Sequence, residues 1–186
     1  MRIISGKYKG KKLLLPKNEF TRPLKDLVKE SIFNLLEHSN KINLKIKNSN
    51  ILDLFSGCGS FGLECISRGS DEVYFFENYD KALYILKKNL FSLKKKENFK
   101  IFEKDCFLFF DSNQQFDKKF DIIFIDPPYK EVKINNLLNK IIEKKILKHN
   151  GMIILHRHKK DKIELTKKIK IIEKRDYGIS RIYFAH

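Results

Sequence analysis

No apolar run in this chain approaches the ~20 residues that a membrane-spanning helix needs, and no leader pattern of a charged start and an apolar core opens it. Its three cysteines, Cys58, Cys65 and Cys106, are odd in number and form no C-x-x-C pair. That spacing argues against a disulfide framework or a structural zinc site. With no secretory pattern, a reducing cytoplasm is the expected setting, and burial as small apolar side chains is the expected fate of the thiols. No repeat period and no low-complexity block is present beyond scattered lysines, which excludes solenoid and fibrous architectures. Acidic residues are the minority: 23 Asp and Glu stand against 39 Lys and Arg, for a net charge of +16.

A field of that sign favours a polyanion, either nucleic acid or an anionic surface. The plainer source is compositional, since a chain rich in Lys, Ile, Asn and Phe is what an A/T-biased genome produces. Both contribute here. A length of 186 residues suits about one domain, burying roughly 70 % of its unfolded surface.

In chain order, residues 2–4 and 11–15 read as two short strands around Ser5-Gly6-Lys7-Tyr8-Lys9-Gly10, with the glycines setting the bends. Arg2, Lys7, Lys9, Lys11 and Lys12 crowd this ribbon together with Tyr8, a mixture that suits a nucleic-acid backbone better than a merely solvated face. After Thr21-Arg22-Pro23, the residues Leu24, Leu27, Val28, Ile32, Leu35 and Leu36 mark one face of a helix. A polar stretch at 39–50 joins this arm, residues 1–48, to a main body at 49–186. There the pattern alternates: strands at 49–54, 72–76, 99–102, 121–125 and 151–156, and helices at 63–68, 79–93 and around 137–142. A short apolar turn follows Asp105-Cys106, and two closing strands at 168–173 and 179–185 turn near Tyr177-Gly178. Alternation of this kind means an α/β fold with a mostly parallel sheet and one antiparallel edge.

Two stretches carry chemistry. Gly57-x-Gly59-x-x-Gly62 lies between a strand and a helix, with Glu77 twenty residues after Gly57 at the end of the next strand. Such a loop lets the backbone approach a ligand, and the acid can accept from both ribose hydroxyls of a nucleoside. An NAD site and an S-adenosylmethionine site are equally served to this point. Asp53, ahead of the glycines, suits a cationic amino group and would repel a pyrophosphate. The second stretch, Asp126-Pro127-Pro128-Tyr129, ends an apolar strand with two residues that cannot donate to a ladder. It forms a stiff platform with one carboxylate, bare carbonyls and a ring, and hydride transfer has no use for it. S-adenosylmethionine is therefore the expected cofactor. His156-Arg157-His158 alternate out of a strand and are expected at the surface or on an RNA rim.

The motif Asp53–Gly62, then Glu77, Asp105-Cys106 and Asp126-Pro127-Pro128-Tyr129, resembles the amino-methylating class I S-adenosylmethionine-dependent methyltransferases. More narrowly, Met1-Arg2-Ile3-Ile4-Ser5-Gly6-Lys7-Tyr8-Lys9-Gly10, Thr21-Arg22-Pro23, Val28-Lys29-Glu30 and Ile32-Phe33-Asn34 are similar to the bacterial small-subunit ribosomal RNA (guanine-N2)-methyltransferase family. That resemblance implies a Rossmann-like fold with a seven-stranded, mostly parallel sheet, helices on both faces and a small hairpin-and-helix arm. It also implies that Asp53, Phe55, Gly57 and Gly59 lie beside the methionine part of the cofactor. Glu77 and Asn78 would hold the ribose, Asp105 and Cys106 the adenine, and Thr21 and Arg22 would close the site from the arm. The catalytic set would be Asp126, Pro127, Pro128 and Tyr129, with no metal. The implied partner is small-subunit ribosomal RNA or an assembling subunit, met by a cytoplasmic monomer. The platform alone equally serves adenine-N6 methylation, and a non-catalytic RNA-binding assembly factor on the same fold is the alternative outside enzymology.

Overall fold

The computed structural model describes residues 1–16, 24, 26–42, 44–93, 97–161, 166 and 168–186. Seven strands form one sheet: β1 (Asn50–Leu54), β2 (Glu72–Phe76), β3 (Phe99–Phe102), β4 (Phe120–Ile125), β5 (Leu147–His158), β6 (Ile171–Tyr177) and β7 (Ser180–Ala185). Their spatial order is β3-β2-β1-β4-β5-β7-β6. The first five are parallel, and β7 runs antiparallel between β5 and β6. After β3 the chain returns past β1 to lay down β4 on its other side, so the order reverses between β1 and β4. In open α/β sheets, ligands bind at such a switch point, outside the carboxyl ends of the strands.

Strand parity divides the core into two layers. Ile51, Val73, Phe75, Ile122 and Phe124 face one side, against α1 (Asp26–His38), α2 (Ser60–Ser67) and α3 (Asp80–Phe91). Leu52, Leu54, Tyr74, Phe76, Ile123 and Ile125 face the other, against α4 (Cys106–Asp111) and α5 (Ile134–Glu143). Aromatic rings fill both layers. Phe61 stacks on Phe124 at 3.9 Å between centroids, and Phe76 stacks on Phe102 at 4.5 Å.

Several expectations are corrected. The amino-terminal ribbon holds a single antiparallel bridge, Arg2 to Lys12, in place of two strands. Leu27 is 68 % exposed, because Val28, Ile32 and Leu36 set the helix stripe at four-residue steps and turn it outward. Lys29 is fully buried beside that stripe, donating to the Arg2 carbonyl at 2.7 Å, with Glu64 3.8 Å away. The segment after Asp105 is a helix rather than a turn, since the Asp105 carboxylate accepts from the Phe107 N–H at 2.7 Å and caps it. β5 begins at Leu147, ahead of the expected start, across a register shift opposite β4. β6 starts at Ile171, where pairing with β7 begins.

The ribbon is docked by polar groups. Buried Glu64 accepts from the N–H groups of Ile4 (2.7 Å) and Ser5 (2.9 Å), and the Ser67 hydroxyl accepts from Tyr8 N–H at 2.9 Å. Gly6 has φ +78°, and a Cβ there would lie 1.9 Å from the Ser67 carbonyl oxygen. Gly6→Ala is therefore expected to cost about 1–3 kcal/mol in denaturant unfolding. Hydrogen exchange should show Ile4, Ser5 and Tyr8 losing protection while the central strands keep theirs.

Candidate active site

A cavity of about 740 Å³ opens at the carboxyl ends of β1, β2 and β4, lined among others by Asp53, Phe55, Gly57, Glu77, Asn78, Asp105, Cys106, Asp126, Pro127, Pro128 and Tyr129. Sequence-predicted residues from four separate loops thus meet in one place. Gly59 does not line it: this residue is the left-handed N-cap of α2, and its absent side chain makes room for Leu86. Thr21 and Arg22 lie outside the described residues. The ribbon residues Arg2, Lys7, Tyr8, Lys9, Lys11 and Lys12 do not line the cavity either. Pro16 and Leu24 bring the arm to its wall.

Each carboxylate has a local reason for its place. Asp53 is on β1, fully enclosed, and its Oδ2 accepts from the Gly62 N–H at 3.0 Å. A Cβ on Gly62 would sit 2.2 Å from the Phe75 ring and 3.0 Å from that oxygen, so this glycine secures close helix-to-sheet packing. Burial pushes the Asp53 carboxyl well above the usual range. The Gly62 N–H opposes that, and the negative charges of Asp126 and Glu77 add to it. Glu77 follows β2 and accepts from three N–H groups: Gly57 at 2.6 Å, Tyr79 at 2.8 Å and Asn78 at 3.0 Å. Burial raises it too, against those three donors. Phe55 holds a left-handed backbone with φ 60° at the rim, the strained geometry that clusters at ligand sites.

Asp126 and the two prolines follow β4. Arg157 of β5 is 6 % exposed and grips this loop. Its guanidinium donates to the carbonyls of Pro128 (3.2 Å), Tyr129 (3.1 Å) and Glu131 (3.0 Å), and pairs with Asp161 at 2.9 Å. Among the described residues the Pro127 carbonyl accepts no hydrogen bond. His156 is 5 % exposed, with Nδ1 2.7 Å from Asp126 Oδ1. The expectation that residues 156–157 sit on the surface is therefore wrong. β5 lies between β4 and β7, so both its edges are paired, and its residues from Gly151 to Arg157 are all buried. A polar pair emerging from a strand directly after four buried apolar residues, opposite an Asp-Pro-Pro stop, is the signal that could have found them.

The three thiols are free and buried, and burial raises all of them, Cys58 to about 11. None is set up as a thiolate nucleophile. Three carboxylates sharing one enclosure create a demand for positive charge. Asp53→Asn should therefore raise the unfolding free energy of the ligand-free protein at neutral pH. The folded-state carboxyl titrates above its unfolded value of about 3.9, so wild-type stability falls as pH rises from there toward the raised folded-state value. The Asn variant lacks that slope, and denaturant melts at several pH values check it.

The full chain, residues 1–186, matches the family model described as Conserved hypothetical protein 95. Ribosomal RNA small subunit methyltransferase D of Haemophilus influenzae is 31 % identical over 180 residues, 96 % of this chain and 90 % of that protein. The protein of the same name from Buchnera aphidicola subsp. Acyrthosiphon pisum is 32 % identical over 173 residues, 93 % of this chain and 86 % of that one. The crystal structure of a candidate methylase from Haemophilus influenzae superposes with a TM-score of 0.77 at 28 % identity, covering 99 % of this chain and 96 % of that chain. A candidate methyltransferase from Escherichia coli reaches a TM-score of 0.83 at 24 % identity, covering 100 % of this chain and 96 % of that one, which speaks to the fold. The chain belongs to the Conserved hypothetical protein 95 family and is homologous to methyltransferases, several of them named for the small ribosomal subunit's RNA.

Proposed function

We propose that the protein transfers a methyl group from S-adenosylmethionine to the exocyclic N2 amino group of a guanine in small-subunit ribosomal RNA. The observation that carries this reading is the pair of acceptors on the platform. Arg157 takes the carbonyls of Pro128, Tyr129 and Glu131, and His156 takes Asp126 Oδ1, which leaves the Pro127 carbonyl and Asp126 Oδ2 for a ligand. The names of the relatives supply the substrate class.

The cavity suits the methyl donor. Its volume lies within the ~300–1,000 Å³ of small-molecule sites. Glu77, oriented by three backbone donors, keeps acceptor capacity for ribose hydroxyls. Asp53 provides a buried negative charge for a cationic ligand. Phe55 and Phe107, with centroids 5.6 Å apart, form an apolar wall beside Asp105 and Cys106 for an adenine ring. When bound, S-adenosylmethionine supplies an electrophilic methyl group on a sulfonium sulfur.

An exocyclic amine is a weak nucleophile because its lone pair is delocalised into the ring. It carries two N–H donors, and the carboxylate and the carbonyl can accept one each. Drawing both hydrogens out of the base plane favours a pyramidal nitrogen. The same contacts strengthen as positive charge develops on that nitrogen, and only interactions of that kind lower the barrier. Tyr129 offers a ring for the base to stack on, worth ~1–3 kcal/mol. The base must leave its own stack to enter.

Asp126→Ala is expected to lower methyl transfer by roughly 100-fold or more, while calorimetry still shows S-adenosylmethionine binding. Lost cofactor binding in a folded variant would overturn the role of Asp126. Nucleosides from cells lacking the gene should be short of N2-methylguanosine; a shortage of N6-methyladenosine would move the assignment to adenine.

On the ribbon, Arg2, Lys9 and Lys12 are exposed and their side chains make no hydrogen bond or ion pair among the described residues, whereas the side chains of Lys7 and Tyr8 engage Glu97 and that of Lys11 donates to the Ser92 carbonyl. We assign the first three to RNA phosphates. Replacing all three with alanine should flatten the salt dependence of RNA affinity by about 2 units of log–log slope; an unchanged slope would assign the basic excess to composition.

A further inference from the structure

We propose that His156 is a positioning residue for the methyl transfer: as a neutral ring protonated on Nδ1, it fixes the Asp126 carboxylate against the platform and leaves that carboxylate negatively charged. The inference rests on the function proposed above and adds a residue to it. Nδ1 of His156 and Oδ1 of Asp126 are 2.7 Å apart, the length of a charge-assisted hydrogen bond. An ionised carboxylate only accepts, so the bond requires the proton on Nδ1. Nε2 is buried and has no hydrogen-bond partner among the described residues. A bare lone pair is tolerated there more readily than an unpaired N–H donor, which burial penalises. Both ring nitrogens therefore select the same neutral tautomer.

The packing holds the ring in place. His156 is paired with Ile182 of β7 in the sheet, and the Tyr129 ring stands edge-on at 6.0 Å. The adjacent Arg157 secures the following carbonyls, so two consecutive β5 residues fix both halves of the platform. Among the described residues, the other hydrogen bond of Asp126 is a long one from its own N–H to the Leu54 carbonyl at 3.4 Å, so the imidazole is the group that orients its side chain. Protonation of His156 would place a cation on the carboxylate and cancel the charge that the developing ammonium needs.

Other titratable groups share this enclosure or its rim. Asp53 and Glu77 lie in the same cavity, both raised by burial. Glu131 and Tyr129 line it, Arg157 faces the carbonyls and Asp161, and His158 stands 5.2 Å from the Tyr129 ring.

His156→Ala should lower kcat by roughly 100-fold, the scale of a misplaced reacting group, with KM for RNA, S-adenosylmethionine affinity by calorimetry and melting temperature near wild type. His156→Asn, whose amide N–H can take the place of Nδ1–H, should recover most of the rate. Asp126→Asn combined with His156→Ala should be no slower than Asp126→Asn alone. In nitrogen-15 NMR the free wild-type protein should show His156 protonated on Nδ1, with that signal altered in Asp126→Asn. Unchanged kcat in His156→Ala, additive losses in the double variant, or a ring protonated on Nε2 would each overturn the proposal. A wild type that shows the Nδ1 signal but transfers no methyl group would instead strike the proposed function, and the positioning role with it, while leaving the pairing.

Discussion

Proline can accept a hydrogen bond but cannot give one, and the site is built on that asymmetry. Where β4 runs into Pro127 and Pro128, two successive residues offer carbonyls and no N–H. The Glu131 N–H closes a turn onto the Pro128 carbonyl at 2.9 Å. Arg157 adds a planar fork that suits several acceptors at once, donating to the carbonyls of Pro128, Tyr129 and Glu131. What the fork does not take is the Pro127 carbonyl, beside the Asp126 carboxylate. On the proposed function, the grip on an amine is defined by subtraction: Arg157 and His156 take their acceptors and leave the Pro127 carbonyl and Asp126 Oδ2 over.

The same enclosure concentrates negative charge. Asp53, Glu77 and Asp126 share one cavity, and burial raises the first two above their ordinary range. For a protein at rest this is a destabilising arrangement, since folded carboxyls that resist ionisation lose stability as pH rises. A cationic ligand reverses the sign by favouring the ionised forms. Strain in the Phe55 backbone belongs to the same account. Stability given up at a binding site is the usual cost of having one, and here two independent features, electrostatic and conformational, place it at the same rim.

How much of this was legible from residues alone follows from which forces are local. Parallel strands buried on both faces announce themselves as apolar runs, so β1 to β4 were readable to within a residue or so. The spacing from Gly57 to Glu77 was readable because one turn of βαβ chain fixes it, and the structure joins the two by a 2.6 Å hydrogen bond. The failures share a cause as well. Lys29 and His156 are polar residues inside the core, where partners distant in sequence compensate burial: Arg2 and Glu64 for one, Asp126 for the other. Leu27 is the mirror case, an apolar residue in a helix whose stripe runs past it. Gly59 looked like a ligand contact but serves packing against Leu86. A sequence pattern records composition along an element and is silent on which tertiary partner will neutralise an exception.

On the proposed function, two acceptors on a stiff loop would recognise an amino group and nothing more, because guanine and adenine both offer two N–H donors there. Discrimination would then come from walls that meet the rest of the base. The described lining of the cavity includes Pro16 and Leu24, both from the amino-terminal arm. That arm is held to the body by Glu64, Ser67 and the Gly6 turn rather than by strand pairing, since its ribbon has a single bridge. On the proposed function the division of labour follows from physics: a reacting group is served by a rigid sheet edge, whereas the choice of base is served by a surface that can vary without disturbing that edge.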